Sequence, residues 1–108
     1  MQAPEIFKIL SDDLRWAIIQ QLRLSDMKVS ELAQALQEAD NKISYHLGKL
    51  REANLVRERR SSADSRDVYY SLQLNELSAQ FKEAGLLLHP LIFEAEAIAQ
   101  ADKPPMIR

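Results

Sequence analysis

The spacing of apolar residues changes sharply in this 108-residue chain just past Asn54. Before that point Ile43, Leu47, Leu50 and Asn54 fall within a narrow arc at about 100° per residue, the mark of one helix face. After it the period becomes alternating. Leu55 and Val56 lead a strand through RERR, and Val68, Tyr70 and Leu72 share one side of a second strand, with Tyr69 and Ser71 on the other. The polar turn SSADSR joins them into a hairpin whose tip carries Arg60 and Arg66. A chain this short forms one small domain, and any long element left over needs a partner.

The remaining pattern reads as helices. Pro4 suits a helix start, and Ile6, Phe7, Ile9 and Leu10 follow as a short apolar segment. Ser11 is a candidate cap for the next helix, with Asp12 and Asp13 where the helix dipole favours negative charge. There Leu14, Ile18 and Leu22 recur at helical spacing, and Trp16, Ala17 and Ile19 widen the apolar face, so Trp16 is expected in the core. The stretch RLSDMK breaks the pattern. Ser30 is a candidate cap for a third helix with Leu32, Ala33 and Leu36, Asp40 for the fourth and Asn75 for the last. In the last helix Leu77, Phe81, Ala84 and Leu88 line one face. Beyond Gly85 the apolar residues run nearly all the way round, which implies burial on more than one side, and Pro90 should kink or split the helix.

Net charge is −2, but it is unevenly spread. Residues 42–66 carry seven basic and three acidic side chains, +4, while the segments on either side are each −3. A basic middle between acidic ends suits a polyanion-binding surface; a solvated basic face is the plainer reading. Cysteine is absent, which removes disulfides, thiolate catalysis and thiolate metal sites together. No nucleophile with a base, no phosphate loop and no metal cluster is visible, so no enzyme and no cofactor are expected. The amino terminus lacks a signal peptide, and residues 85–93 (GLLLHPLIF) are too short to span a bilayer, so the cytoplasm is the expected compartment, with no membrane partner.

The fourth helix has a hydrophilic side. Asn41, Tyr45, Gly48 and Glu52 lie opposite the apolar arc, flanked by Lys42 and Lys49 on one edge and Ser44 and Arg51 on the other. A major groove admits one helix, and residues near its amino-terminal end reach base edges. Asn41, Lys42, Ser44 and Tyr45 occupy that end; Lys49, further along, would meet a phosphate, and Arg60 and Arg66 the backbone or minor groove. Two helices joined by a short connection and followed by a hairpin make a winged helix-turn-helix.

At these residues the chain resembles a known family. LSDDLRWAIIQQL, VSELAQAL, KISYHLGKLREANLV and RDVYYSL look like the ArsR/SmtB winged-helix repressors of bacteria and archaea, over residues 10–72. The resemblance implies a mostly α fold with a β-hairpin wing. It also implies a homodimer built through the first and last helices, and a transcriptional repressor on a double-stranded DNA operator of two-fold symmetry. Ile6, Phe7, Phe81, Leu87, Leu88, Leu91 and Ile92 are the candidate dimer interface. Residues 1–101 are expected as the DNA-binding and dimerisation domain, with 102–108 a tail or linker.

The chain departs from the family pattern in places. Ala39 and Asp40 stand where the family often has Ser or Gln, and Ser65 stands at the wing turn where Gly is frequent. Metal-sensing members carry cysteines, or paired histidines and acids on the last helix. Here the last helix has only His89, whose helical neighbours Gly85, Leu86, Ile92 and Phe93 cannot bind metal, so no metal or arsenite sensing is expected. His46, at the edge of the apolar arc, reads as a packed structural histidine, and His89 as an interface or surface one. Arg15 suits either a phosphate contact or an ion pair with Asp12 or Asp13. A small-molecule inducer, bound near GLLLHPLIF, is compatible with the sequence but unidentified. Two other readings remain open: a winged helix that docks an acidic protein partner, and the regulatory domain of a larger fusion protein.

Overall fold

A computed structural model describes residues 1–61 and 66–102. The order is α1 (Glu5–Leu10), α2 (Asp13–Leu22), α3 (Val29–Leu36), α4 (Asp40–Glu52), β1 (Val56–Arg60), β2 (Val68–Leu72), α5 (Leu74–Leu88), a 3₁₀ turn (Ile92–Glu94) and α6 (Ala95–Asp102). This is the expected mostly α chain with a hairpin wing. The wing turn around Ser65 and most of the expected tail lie outside the described residues.

The seam of α2, α3 and α4 is the core. Ile18, Leu32, Ile43, Leu47, Leu50, Leu55 and Val56 are fully buried, and Ile6, Ile9, Ile19, Leu22, Ala33 and Ala84 close around them. β1 and β2 pair antiparallel in the register Val56↔Leu72, Glu58↔Tyr70, Arg60↔Val68. Tyr70 and Leu72 pack on the core, as their alternation predicts. One pairing is invisible locally: Met27 exchanges backbone hydrogen bonds with Tyr70 at 2.8 and 3.2 Å, so the segment before α3 adds an edge to the wing.

Several local expectations are corrected. The cap of α2 is Asp12, whose Oδ1 accepts from the Leu14 and Arg15 amides at 2.9 and 3.0 Å; Ser11 ends α1 instead, donating to the Lys8 carbonyl. α3 starts at Val29, ahead of Ser30, and Glu31 reaches back to the Lys28 amide at 2.8 Å. Asp40 is the first helical residue of α4 after Ala39, a place where its charge complements the helix dipole without capping. α5 begins at Leu74 after Gln73, so Asn75 is already helical. Trp16 is 52% exposed rather than core. It lies roughly 120° round α2 from the centre of the buried arc of Ile18, Ile19 and Leu22, too far for even a large ring to reach the interior.

Asn54 is also misplaced by a helical extrapolation, because α4 ends first. Its φ is 62°, the left-handed conformation that Asn tolerates, and the Leu55 amide bonds back to the Leu50 carbonyl at 3.0 Å. Gln37 (φ 54°) closes α3 the same way, with Glu38 N–H on the Ala33 carbonyl. These two turns set the α3–α4 and α4–β1 angles. Gln80 Nε2 donates to the Ala53 carbonyl at 2.8 Å, giving an orphan acceptor at the end of α4 a partner from α5.

Pro90 splits the last helix as expected. α5 stops at Leu88, His89 Nδ1 accepts the Leu91 amide at 3.0 Å, and Phe93 folds back so closely on Gly85 that a Cβ there would lie 2.6 Å from the ring. The expected burial beyond Gly85 does not occur within the chain: Leu86, Leu87, Leu88, Leu91, Ile92, Phe93 and Ile98 are all exposed. The arm makes the molecule 64 × 39 × 26 Å with a radius of gyration of 18.7 Å. A compact chain of this length has roughly 13 Å. Among the described residues no helix is long and apolar enough to cross a membrane.

Candidate nucleic-acid interface

α4 turns its hydrophilic side to solvent. Asn41, Lys42, Ser44 and Tyr45 are exposed around its first turns, while Ile43 between them is buried. Tyr45 is 59% exposed; its ring meets His46 edge-on at 5.1 Å between centroids, and Lys49 Nζ stands 5.6 Å from it. Lys42 Nζ is 3.5 Å from Glu38 and Lys49 Nζ 3.9 Å from Glu52. Exposed pairs of this kind are worth about 0–1 kcal/mol, so exchanging a carboxylate for a phosphate costs little. The five sequence-derived residues of α4 therefore share one accessible face.

Arg60 and Arg66 are exposed at the outer end of the hairpin. Arg59 is engaged within the protein: its Nη2 donates to Asp26 at 3.4 Å and its guanidinium lies 5.2 Å from the Tyr69 ring. Lys28 Nζ is 5.8 Å from that ring and 3.9 Å from Asp67. These contacts fix the base of the wing to the segment before α3.

A link from α4 to the wing went unseen in the sequence. Glu58 accepts from Arg51 Nη1 on α4 and from the Tyr70 hydroxyl at 3.2 Å. Burial, then the Glu58 charge and hydrogen bond, raise the Tyr70 phenol above its ordinary 10.0. The cross-strand pair Glu58↔Tyr70 is the signal that could have found it, once the register was known.

A second missed set lies beneath α4. Arg15 lies there, with its charge bearing on Asp12: Nε donates to the Ile9 carbonyl at 2.7 Å and Nη1 meets His46 Nδ1 at 3.2 Å. A guanidinium has no acceptor, so Nδ1 accepts and the imidazole proton sits on Nε2. Asp12 Oδ1 lies 3.9 Å from the same Nδ1. The Arg15 amide foremost, with the Arg15 charge and the Leu14 amide, holds the Asp12 carboxyl below its ordinary 3.8, against the opposing pull of burial. His46 is 8% exposed, the packed histidine that its position predicts.

Of the candidate dimer residues, Phe7, Phe81, Leu87, Leu88, Leu91 and Ile92 are exposed on α1 and the split last helix. Ile6 is 3% exposed and belongs to the core of the chain itself, so it presents almost no surface. Among the described residues no group of three or more His, Asp or Glu side chains converges on a metal-sized site.

Comparison with known proteins agrees with this geometry. The family model "Bacterial regulatory protein, arsR family" matches residues 12–58, from the cap of α2 to mid-β1. The HTH-type transcriptional regulator KmtR of Mycobacterium tuberculosis is 38% identical over 69 residues, 64% of this chain and 51% of KmtR. YceK of Bacillus subtilis, an HTH-type transcriptional regulator, is 41% identical over 71 residues, 64% of this chain and 68% of YceK. The chain thus spans about half the length of several curated relatives it matches, and more of YceK. Among solved structures, an ArsR-like transcriptional regulator from Rhodococcus sp. RHA1 superposes with a TM-score of 0.69 at 26% identity, covering 93% of this chain and 92% of that one. From these matches, and from a helix-turn-helix and hairpin built as described, the chain belongs to the arsR family of bacterial regulatory proteins.

Proposed function

We propose that the chain is a sequence-specific DNA-binding transcriptional regulator, a repressor acting as a homodimer on a palindromic double-stranded operator in the cytoplasm. The observation that carries this reading is the sidedness of α4: Ile43, Leu47 and Leu50 are 0–1% exposed, while Asn41, Lys42, Ser44 and Tyr45 between and beside them face solvent. Asn and Lys are suited to adenine and guanine edges, Ser and Tyr to bases or phosphates. Lys49, Arg60 and Arg66 take phosphates or the minor groove.

The homodimer reading is supported by the exposed arm. Leu87 and Leu88 are 72% and 70% exposed and, with Phe7, Met1 and Ala84, border an apolar groove of about 720 Å³. So many large apolar side chains exposed together on one arm suit an interface. Residues 1–101 then form one functional unit, with 102–108 a tail or linker. To enter successive major grooves the two recognition helices of the dimer must stand about 34 Å apart, one turn of duplex. No metal, cofactor or catalytic role is part of this reading, and an inducer is left unassigned.

Selection from a random duplex pool, followed by fluorescence anisotropy, tests it. Binding about six phosphates gives log K falling against log salt with a slope near −5. Lys42→Ala or Asn41→Ala relaxes sequence choice by about 1–3 kcal/mol per base contact. Arg66→Ala weakens all sequences and flattens the slope. Failure to enrich any sequence, with no binding to random duplex at low salt, refutes the reading and favours a protein partner.

A further inference from the structure

α4 is seated on α2 and α3 by apolar side chains alone on its inner arc, Ile43, Leu47 and Leu50. Such contacts are non-directional and do not by themselves fix rotation about the helix axis. Directional contacts do: towards its carboxyl end Arg51 donates to Glu58 and Gln80 Nε2 to the Ala53 carbonyl, and nearer the amino-terminal turns Arg15 Nη1 meets His46 Nδ1 at 3.2 Å. Arg15 is itself held, through Nε, by the Ile9 carbonyl of α1 at 2.7 Å, and its backbone by the Asp12 cap. His46 in turn touches the exposed Tyr45 ring. A polar strut thus runs from α1 through α2 to the residue beside the DNA-facing ring.

We propose that Arg15 and His46 are positioning residues for DNA reading, fixing the rotation of α4 and so the direction in which Asn41, Lys42 and Tyr45 are presented. This rests on the DNA-binding function proposed above. A rotation of about 10° moves a side-chain tip about 6 Å from the helix axis by about 1 Å. That is enough to take a hydrogen bond of about 2.9 Å out of range. Random duplex, held through phosphates, tolerates such a shift; a base contact does not.

The test uses the whole chain, a duplex enriched from a random pool and a scrambled duplex of the same composition. His46→Leu removes the acceptor. His46→Asn keeps one, because the amide oxygen takes nearly the place of Nδ1. With folding checked by circular dichroism, His46→Leu lowers the preference for enriched over scrambled duplex by about tenfold, and leaves the salt slope unchanged. His46→Asn stays within about threefold of the unaltered chain. Arg15→Gln, read the same way, behaves like His46→Leu and serves if that variant does not fold. Independently of DNA, nitrogen chemical shifts of His46 in the free protein report the proton on Nε2.

A preference kept by His46→Leu and Arg15→Gln overturns the proposal. So does an equal loss in His46→Asn, or a ring protonated at Nδ1. If the unaltered chain prefers no duplex at all, the DNA reading falls and takes the strut's role with it. Normal discrimination by the unaltered chain with unmoved variants defeats the strut alone.

Discussion

Gly48→Ala separates stability from contact on α4. Gly48 lies on the outward side of α4 with ordinary helical φ, and a Cβ built there meets no atom within 4 Å. A glycine inside a helix costs about 0.5–1 kcal/mol relative to alanine, chiefly in backbone entropy. No clash opposes the gain, so Gly48→Ala should stabilise by about that amount and raise Tm by about 3–6 °C. The assay is thermal denaturation by circular dichroism at one fixed protein concentration, because the Tm of a dimer moves with concentration. If the outer face of α4 lies against a duplex, the added methyl also weakens binding to the enriched sequence. The two changes then have opposite signs, which loss of folding cannot produce. An unchanged or lower Tm would refute the open, regular helix face. A raised Tm with unaltered affinity would mean that α4 stands off from the duplex at this turn.

Three further outcomes are expected. Asp12→Ala should cost about 1 kcal/mol at neutral pH through the lost α2 cap. Because the folded carboxyl titrates below 3.8, its contribution is present above that value and lost as pH falls through the folded pKa. Chemical denaturation at pH 7 and pH 3 should therefore show the gap between the two proteins narrowing on acidification. Glu58→Gln frees Arg51 and Tyr70. In the unaltered protein the raised Tyr70 pKa gives stability that is complete below pH 10.0 and declines as pH rises through the folded value. The variant should bring Tyr70 ionisation nearer 10.0 in an ultraviolet titration. Leu87→Glu with Leu88→Glu, both exposed in the protomer, should yield a folded monomer by sedimentation; a persisting dimer would place the interface elsewhere.

The sidedness of α4, the hairpin after it and the break at Pro90 were legible because each is a local, periodic property. Ile43, Leu47 and Leu50 repeat at the helical interval whatever surrounds them, and all three are buried. The errors fell where the period stops. Asn54 continues the arc only if the helix continues, and it does not. Ser11, Ser30, Asp40 and Asn75 all have capping chemistry, yet the caps went to their neighbours, because a cap is chosen by where the chain enters the helix. Trp16 is apolar at the edge of an apolar face, and composition cannot say how wide that face is once neighbours pack.

By itself the amino-acid order determined the succession of helices and strands, the basic middle segment, the absence of thiol chemistry and the polar face that a duplex would meet. Tertiary structure alone decided that Met27 pairs with Tyr70, that Glu58 joins Arg51 to the wing, and that Arg15 reaches His46 thirty-one residues away. The reason is physical. Hydrophobic periodicity is written into neighbouring residues, whereas a directional hydrogen bond between distant ones exists only after packing has brought donor and acceptor within about 3 Å.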